Sequence, residues 1–148
     1  IDRGIFQYPI GAQDGYLYNH EVGYDADGSA MTSSIEASPI DVGEGDRFVF
    51  INRIIPDITF QGSTGGTPSV DMTLSMQDYP GSPYGQAEAE TVTSSAISTT
   101  TVPFEQFTTK TDIRLRGRAF AFKVDSTELG VRWRLGTPRI QLRQDGRR

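Results

Sequence analysis

Two aspartates separated by one residue are the first candidates for chemistry in this chain. Asp25 and Asp27, in the string DADG, have the spacing of the first two ligands of a calcium-binding loop, in which alternate carboxylates converge on the cation. The later ligands of such a loop are missing, because Ser29 and Met31 follow and only Glu36 coincides with its twelfth position. We therefore interpret DADG as a polar turn and keep an ion site as the alternative hypothesis.

Aromatic and imidazole side chains lie close to this turn. Tyr16, Tyr18 and Tyr24, with the two aspartates, support a second hypothesis, a carbohydrate- or ion-binding β-module that could act as an enzyme. The single histidine, His20, belongs to no catalytic motif, so we predict a structural or surface residue. The chain has no G-x-S-x-G string, and STGGTP (63–68) lacks the lysine of a phosphate-binding loop. We therefore predict no catalytic residue, no metal ligand and no cofactor.

Arginine is the most unevenly distributed residue of the chain. Up to residue 109 there are 3 basic and 15 acidic residues, a net charge of −12, whereas the remainder has 11 basic and 4 acidic residues, a net charge of +7. Twelve of the 14 basic residues are arginine, whose planar guanidinium favours fixed pairing with carboxylate or phosphate. We predict that an arginine-striped strand surface pairs with an acidic surface, within the fold or on a neighbouring copy; a solvated face is the alternative. The candidate subunit-interface residues are Arg114, Arg116, Arg118, Arg132, Arg134, Arg139 and Arg143.

Nucleic acid is a weaker candidate for the partner of these arginines. A DNA reader would need a recognition helix, or aromatic rings interleaved with the arginines on an open sheet face. Phe120, Phe122 and Trp133 are instead predicted to face the core, opposite their basic neighbours. We therefore expect no sequence-specific binding of nucleic acid.

Alternation of apolar and polar residues predicts that strands position these side chains. VDMTLSM (70–76) alternates as in a half-buried strand, and the run 48–51 is apolar on both faces, as in a strand between two layers. VRWRL (131–135) and RIQLR (139–143) also alternate, and GTP (136–138) between them predicts a hairpin. In the stretch 112–124 the apolar residues change from odd to even positions, so we predict a β-bulge or kink at Gly117.

The elements together predict an all-β fold. Sixteen glycines and eight prolines fit many short strands with frequent reversals. We predict a single domain over residues 1–148, an antiparallel β-sandwich or barrel-like domain with long loops, in which residues 86–101 form a mobile loop; a mobile edge strand over 87–101 is the alternative. No apolar run approaches the roughly 20 residues that a membrane span requires. With no cysteine, disulfides and thiolate metal sites are excluded.

The C-terminal string RLRGRAFAFKVDSTELGVRWRLGTPRIQLRQDGRR (114–148) resembles the ending of the tail tubular, or nozzle, proteins of short-tailed bacteriophages. In that family a related R-G-R…F…(L)-G-V-x-W-R-L-G…R…R-x-D-G-R-R string closes the chain, although Gln144 stands where many members have proline. The strings IDRGIFQYPIGAQDGYLYNHEVGYDADG, DRFVFINRIIPD and MQDYPGSPYG also resemble segments of the family. Matching positions that we expect to be structural are Gly117, Gly130, Trp133, Gly136, Asp145 and Gly146.

The resemblance implies a virion structural protein without catalytic activity. Family members form a six-membered ring below the portal and adaptor, associate with tail adaptor and tail fibre proteins, and let genomic DNA pass through the centre without sequence-specific binding. They are longer and contain propeller-like β structure, so the resemblance implies that this chain, which starts with Ile1, is the C-terminal portion of a longer protein. A related tail hub or adaptor component is the alternative.

Overall fold

The described residues form β-strands joined by turns and loops. The structure is a computed structural model, and it describes residues 8–79 and 99–146. It confirms the predicted all-β class. The described part of the chain has no helix long and apolar enough to span a bilayer. The strands are β1 (Ile10–Gln13), β2 (Tyr16–Asn19), β3 (Asp25–Ala26), β4 (Ser29–Ala30), β5 (Ser33–Glu36), β6 (Ile40–Asp41), β7 (Val49–Ile55), β8 (Ile58–Thr59), β9 (Ser69–Gln77), β10 (Thr99–Glu105), β11 (Thr111–Gly117), β12 (Ala119–Ser126), β13 (Arg134–Leu135) and β14 (Arg139–Gln144).

Two antiparallel sheets share one hydrophobic core. The larger sheet has the order β10-β9-β12-β5, with β6 also paired to β12, and the smaller has the order β11-β7-β14. Side chains from both sheets form a single buried cluster, as in a β-sandwich, and the described strands do not close into a barrel. The buried members of that cluster are Val49, Ile51, Ile54, Phe60, Val70, Met72, Leu74, Met76, Phe104, Ile113, Leu115 and Val124.

Strand β9 confirms the predicted alternation. Val70, Met72, Leu74 and Met76 are all buried, whereas the residues between them are exposed or half-buried. On the outer face, the Thr73 hydroxyl lies 2.8 Å from that of Thr101 on β10. The pattern of one buried and one polar face therefore places β9 correctly from sequence alone.

Strand β7 is the centre of the smaller sheet and changes phase at Asn52. Val49 and Ile51 are buried, but the next buried residue is Ile54, because both neighbouring strands shift register beside Asn52. On β11 the shift lies between Asp112 and Leu115. The bulges keep apolar side chains directed inward on both sides of the interruption.

The predicted kink at Gly117 is a crossing between the two sheets. Gly117 ends β11 in the smaller sheet, and Ala119 begins β12 in the larger one. Arg118 lies between them, and its backbone N–H donates to the Gln77 carbonyl at 2.7 Å. A Cβ atom on Gly117 would lie 2.8 Å from Met76 Cβ, so a larger residue would not fit there without movement.

The predicted hairpin between residues 131–135 and 139–143 was wrong. β13 pairs with β8, and β14 pairs with β7, so the two segments run in the same direction beside residues 49–59. Gly136 does not turn the chain back; its N–H donates to the Asp57 carbonyl at 2.6 Å, and the Thr137 N–H donates to Asp57 Oδ2 at 2.8 Å. Between the two paired stretches, residues 56–57 lie opposite residues 136–138. This difference of one residue interrupts the ladder of hydrogen bonds, and it does not form a turn.

Most of the predicted mobile loop 86–101 lies outside the described residues. Its last residues, 99–101, begin β10, which pairs with 73–75 of β9 at the edge of the described sheet, as in the alternative prediction of an edge strand. The threonine-rich composition of this part favours β-structure, and the neighbouring strand supplies the partner.

Candidate functional site

The outer face of the smaller sheet carries most of the predicted arginines. Burial alternates along β11, with Asp112, Arg114 and Arg116 exposed, and Arg116 and Arg143 both pair with Phe50 of β7. Side chains of directly paired residues lie on the same face of a sheet. We call this surface the arginine face; it consists of Phe48, Phe50, Arg53, Asp112, Arg114, Arg116, Arg118, Arg139, Arg143 and Asp145.

Two phenylalanines lie beneath the guanidinium groups of this face. The Arg116 guanidinium carbon is 3.9 Å from the Phe48 ring centroid, and that of Arg118 is 4.8 Å from the same centroid. The Arg143 guanidinium carbon lies 5.0 Å from the centroid of Phe50. These distances are in the range of cation–π interactions. The second apolar face of residues 48–51 is thus covered by arginines instead of by another layer of the fold.

Ion pairs lie at both ends of the face. Arg116 Nε donates to Asp145 Oδ2 at 2.6 Å, with both side chains roughly two-fifths exposed. Arg53 Nε donates to Asp112 Oδ1 at 2.8 Å. The hydrogen bond from Arg53, followed by its positive charge, lowers the pKa of Asp112 below its ordinary value.

The face keeps an excess of positive charge. It contains six arginines and two aspartates. Within residues 8–79 and 99–146, the side chains of Arg114 and Arg139 make no hydrogen bond or ion pair, and the side chain of Arg143 makes only its contact with the Phe50 ring. These three side chains are therefore available to an anionic partner, as far as the described residues show.

The predicted surface of seven arginines is divided in the structure. Five of the seven lie on the arginine face, but Arg132 does not. Its Nη1 donates to the Tyr24 hydroxyl at 3.2 Å, and its guanidinium carbon lies 5.5 Å from the centroid of that ring. Arg134 is on β13, exposed and paired with Thr59 of β8. The alternation of charge in VRWRL predicted the faces of these residues but not the strand beside them.

The acidic half of the chain contains two small hairpins. Strands β1 and β2 are joined by Asp14-Gly15, and β3 and β4 by Asp27-Gly28; all four turn residues have positive φ, as in type I′ turns. The predicted polar turn at DADG is therefore confirmed. The first hairpin was not predicted, although the dipeptide Asp-Gly between short strands is a strong signal for it. We call this pair of hairpins, residues 10–30, the acidic hairpins.

The acidic hairpins are attached to the sandwich by two side chains. Asp25 Oδ1 accepts a hydrogen bond from the Gly130 N–H at 2.5 Å, and the Tyr24 hydroxyl accepts the bond from Arg132. These contacts engage two members of the proposed carbohydrate- or ion-binding cluster. Tyr16 and Tyr18 lie farther along the chain toward the N-terminus, with ring centroids 6.4 Å apart.

A cleft of about 660 Å³ lies on the acidic hairpins, lined in part by Tyr18, His20, Glu21 and Asp27. His20 is exposed, and its ring lies against Gly11, where a Cβ atom would collide with it. Within residues 8–79 and 99–146, no three histidine or carboxylate side chains are grouped so as to hold a metal ion. The ion-site hypothesis therefore gains no support from the described residues.

The residues that match the C-terminal string occupy constrained positions. Gly130 has a φ of 68°, and its carbonyl accepts hydrogen bonds from Thr64 and Gly65 at 2.8 and 3.2 Å. A Cβ atom on Gly136 would collide with the Asp57 carboxylate. Trp133 packs against the core and donates from Nε1 to Ser33 Oγ at 2.9 Å. Gly146 accepts from the Phe48 N–H at 2.9 Å and so extends the ladder beyond β14.

Comparison with known proteins adds no family. No protein-family model matches the chain, and no curated protein matches it.

Proposed function

We propose that this chain is a structural component of a short-tailed phage virion and forms part of a ring-shaped tail nozzle. The observation that carries the proposal is the C-terminal string and the place of its residues in the fold. Gly117 marks the crossing between the sheets, Gly130 anchors the acidic hairpins, and Gly136 packs on Asp57. These positions make the string part of the architecture of the fold, and its resemblance to the ending of the nozzle proteins supports the proposal.

The surface chemistry supports an assembling role. The arginine face has an excess of positive charge, and residues 8–46 contain eight carboxylates and no lysine or arginine. Two surfaces of opposite charge on one chain suit contacts between copies. The alternative carbohydrate- or ion-binding module has less support, because Tyr24 and Asp25 bind the sandwich.

The proposal includes the partners that the resemblance implies. Copies of the chain form a ring, a hexamer by that resemblance, and the ring contacts tail adaptor and tail fibre proteins. Genomic DNA passes through the ring without sequence-specific binding. A tail hub or adaptor component is the nearest variant of this proposal.

Imaging of virus particles tests the proposal. Particles that carry the chain would be reconstructed by electron cryomicroscopy without imposed symmetry, and the density for residues 99–146 located. We expect a ring of copies on the tail axis. A matched preparation with a small fused tag at the N-terminus would verify the assignment by one extra feature per copy.

The opposite result is equally clear. A single copy away from any tail, or absence of the chain from purified particles, would contradict the structural role. The cleft on the acidic hairpins would then become the first site to examine.

A further inference from the structure

We propose that the acidic hairpins of one copy dock on the arginine face of a second copy in a head-to-tail contact. The inference rests on the proposed function, which requires copies of the chain to assemble, and it adds the two surfaces that meet. It commits to a second copy as the occupant of the arginine face.

The first argument is the exposure of the acidic hairpins. Among the described residues, the sheet of β1 and β2 has two strands, and none of its residues is buried. A two-stranded hairpin is marginally stable by itself in water. Leu17 is 78% exposed and Tyr16 69%, and the apolar residues Ile10, Val22 and Met31 nearby are also exposed. A partner that covers these side chains would stabilise the hairpins.

The second argument is the sign and distribution of charge. Asp14, Glu21, Asp25 and Asp27 lie on the acidic hairpins or their connection, with no lysine or arginine between residues 8 and 46. Such a surface is complementary to a cationic partner. Six arginines against two aspartates make the arginine face the complementary surface of this chain.

The third argument is that the two surfaces are not joined within one copy. Among the described residues, no ion pair links a carboxylate of the acidic hairpins to an arginine of the arginine face. The hairpins are attached through Tyr24 and Asp25 to residues 130–132. The other carboxylates of the acidic hairpins, including Glu21, are therefore available to pair with the arginines of another molecule.

The composition of the arginine face suits a mixed apolar and charged contact. The rings of Phe48 and Phe50 are half-buried beneath guanidinium groups, and exposed Arg114 lies on the strand beside Phe50, while exposed Arg139 lies at the other end of the face, opposite Ile55. Exposed Leu17 and Tyr16 can lie on such a surface while nearby carboxylates pair with the arginines. Because the two patches differ, the contact is heterologous, and its repetition gives a ring if the rotation closes.

A charge-reversal experiment on the full chain tests the contact. Self-association of the unmodified chain would be measured by sedimentation velocity from micromolar to millimolar concentration, in low and high salt. We expect association that weakens as salt increases, because exposed charge pairs are screened. Arg143→Glu should weaken it by more than about tenfold, because it places a carboxylate opposite the acidic hairpins.

The matched control is Arg134→Glu, the same substitution at an exposed arginine that lies on β13, outside the arginine face. It should leave association within about twofold of the unmodified chain. Glu21→Lys should weaken association as Arg143→Glu does. An equimolar mixture of those two variants should associate again, because the unmodified acidic hairpins of the Arg143→Glu chain meet the unmodified arginine face of the Glu21→Lys chain.

Three results would overturn the inference. The first is an unmodified chain that stays monomeric throughout the concentration range, and the second is an Arg143→Glu chain that associates normally. The third is an unmodified chain that does not self-associate but binds a single-stranded oligonucleotide, with the binding abolished by Arg143→Glu. The proposed function fails separately, on the position of the chain in the particle. A ring on the tail axis together with normal association of Arg143→Glu would reject only this interface.

Discussion

Asp25 and Gly130 are joined by a hydrogen bond across 105 residues of sequence, from the Gly130 N–H to Asp25 Oδ1 at 2.5 Å. The bond attaches the acidic hairpins to the sandwich at a glycine with a left-handed backbone conformation. Arg132 repeats the attachment two residues later, through Tyr24. The first prediction concerns this attachment.

Asp25→Ala should destabilise the chain by about 1–3 kcal/mol, because a half-buried backbone N–H loses its acceptor. The loss would be measured by urea unfolding, and hydrogen exchange should become faster at the Gly130 amide. The control, Asp27→Asn, keeps the turn geometry and should change stability by less than about 0.5 kcal/mol. Equal losses in the two variants would show that the attachment contributes nothing.

Gly117→Ala should destabilise the sandwich by about 1–3 kcal/mol, because the new methyl group would lie 2.8 Å from Met76 Cβ and 2.9 Å from the Gln77 carbonyl oxygen. Both atoms belong to the adjacent strand and cannot move independently of it. Gly66→Ala is the control, since a Cβ there meets nothing within 4 Å. A Gly117→Ala chain as stable as the control would contradict the close approach at the crossing.

Arg116→Lys should lower the free energy of unfolding by about 1 kcal/mol, although it keeps the positive charge. The ammonium cannot stack on Phe48 as the planar guanidinium does, and it loses the fixed hydrogen bond to Asp145; solvent screening keeps the loss small. Arg114→Lys, at a residue with no hydrogen bond to a described residue, should have little effect. A larger loss for Arg114→Lys in chemical denaturation would refute the role of stacking.

Arg53→Gln should raise the pKa of Asp112 toward its ordinary value, because the hydrogen bond and the positive charge that lower it are lost. The pKa of Asp112 is lower in the folded chain than in the unfolded chain. The pair of Arg53 and Asp112 therefore stabilises the fold at pH values above the unfolded-state pKa, and this stabilisation is lost as the pH falls through the folded-state pKa. The carboxyl carbon chemical shift of Asp112, followed by NMR below pH 5, would give its pKa in the unmodified chain and in the Arg53→Gln chain. Arg143→Gln is the control and should leave Asp112 nearly unchanged; an equal change in both would exclude a specific pair.

The strands were more predictable than their partners. The alternation in 70–76 and the change of phase at Gly117 reflect which side chains are buried, and burial leaves its period in the sequence. The choice of neighbouring strand leaves no such period in the sequence. Residues 131–135 and 139–143 alternate as expected of strands, yet only 134–135 of the first segment form a strand, and both strands pair with residues 49–59 rather than with each other.

The arginine face was predictable only in part. The positions of Arg114 and Arg116 follow from their alternation with buried Ile113 and Leu115. The sequence did not predict that guanidinium groups cover Phe48 and Phe50. A strand that is apolar on both faces is equally consistent with a second layer of protein over it. Deciding between them requires knowing that β11 and β14 both flank β7.

The crossing at Gly117 has a mechanical consequence. One uninterrupted run of backbone belongs first to the smaller sheet and then, one residue later, to the larger one. Tension applied to either sheet is therefore carried to the other through covalent bonds, and not only through side-chain packing. The two layers cannot slide apart at this corner without rupture of the ladder of hydrogen bonds along β11 or β12.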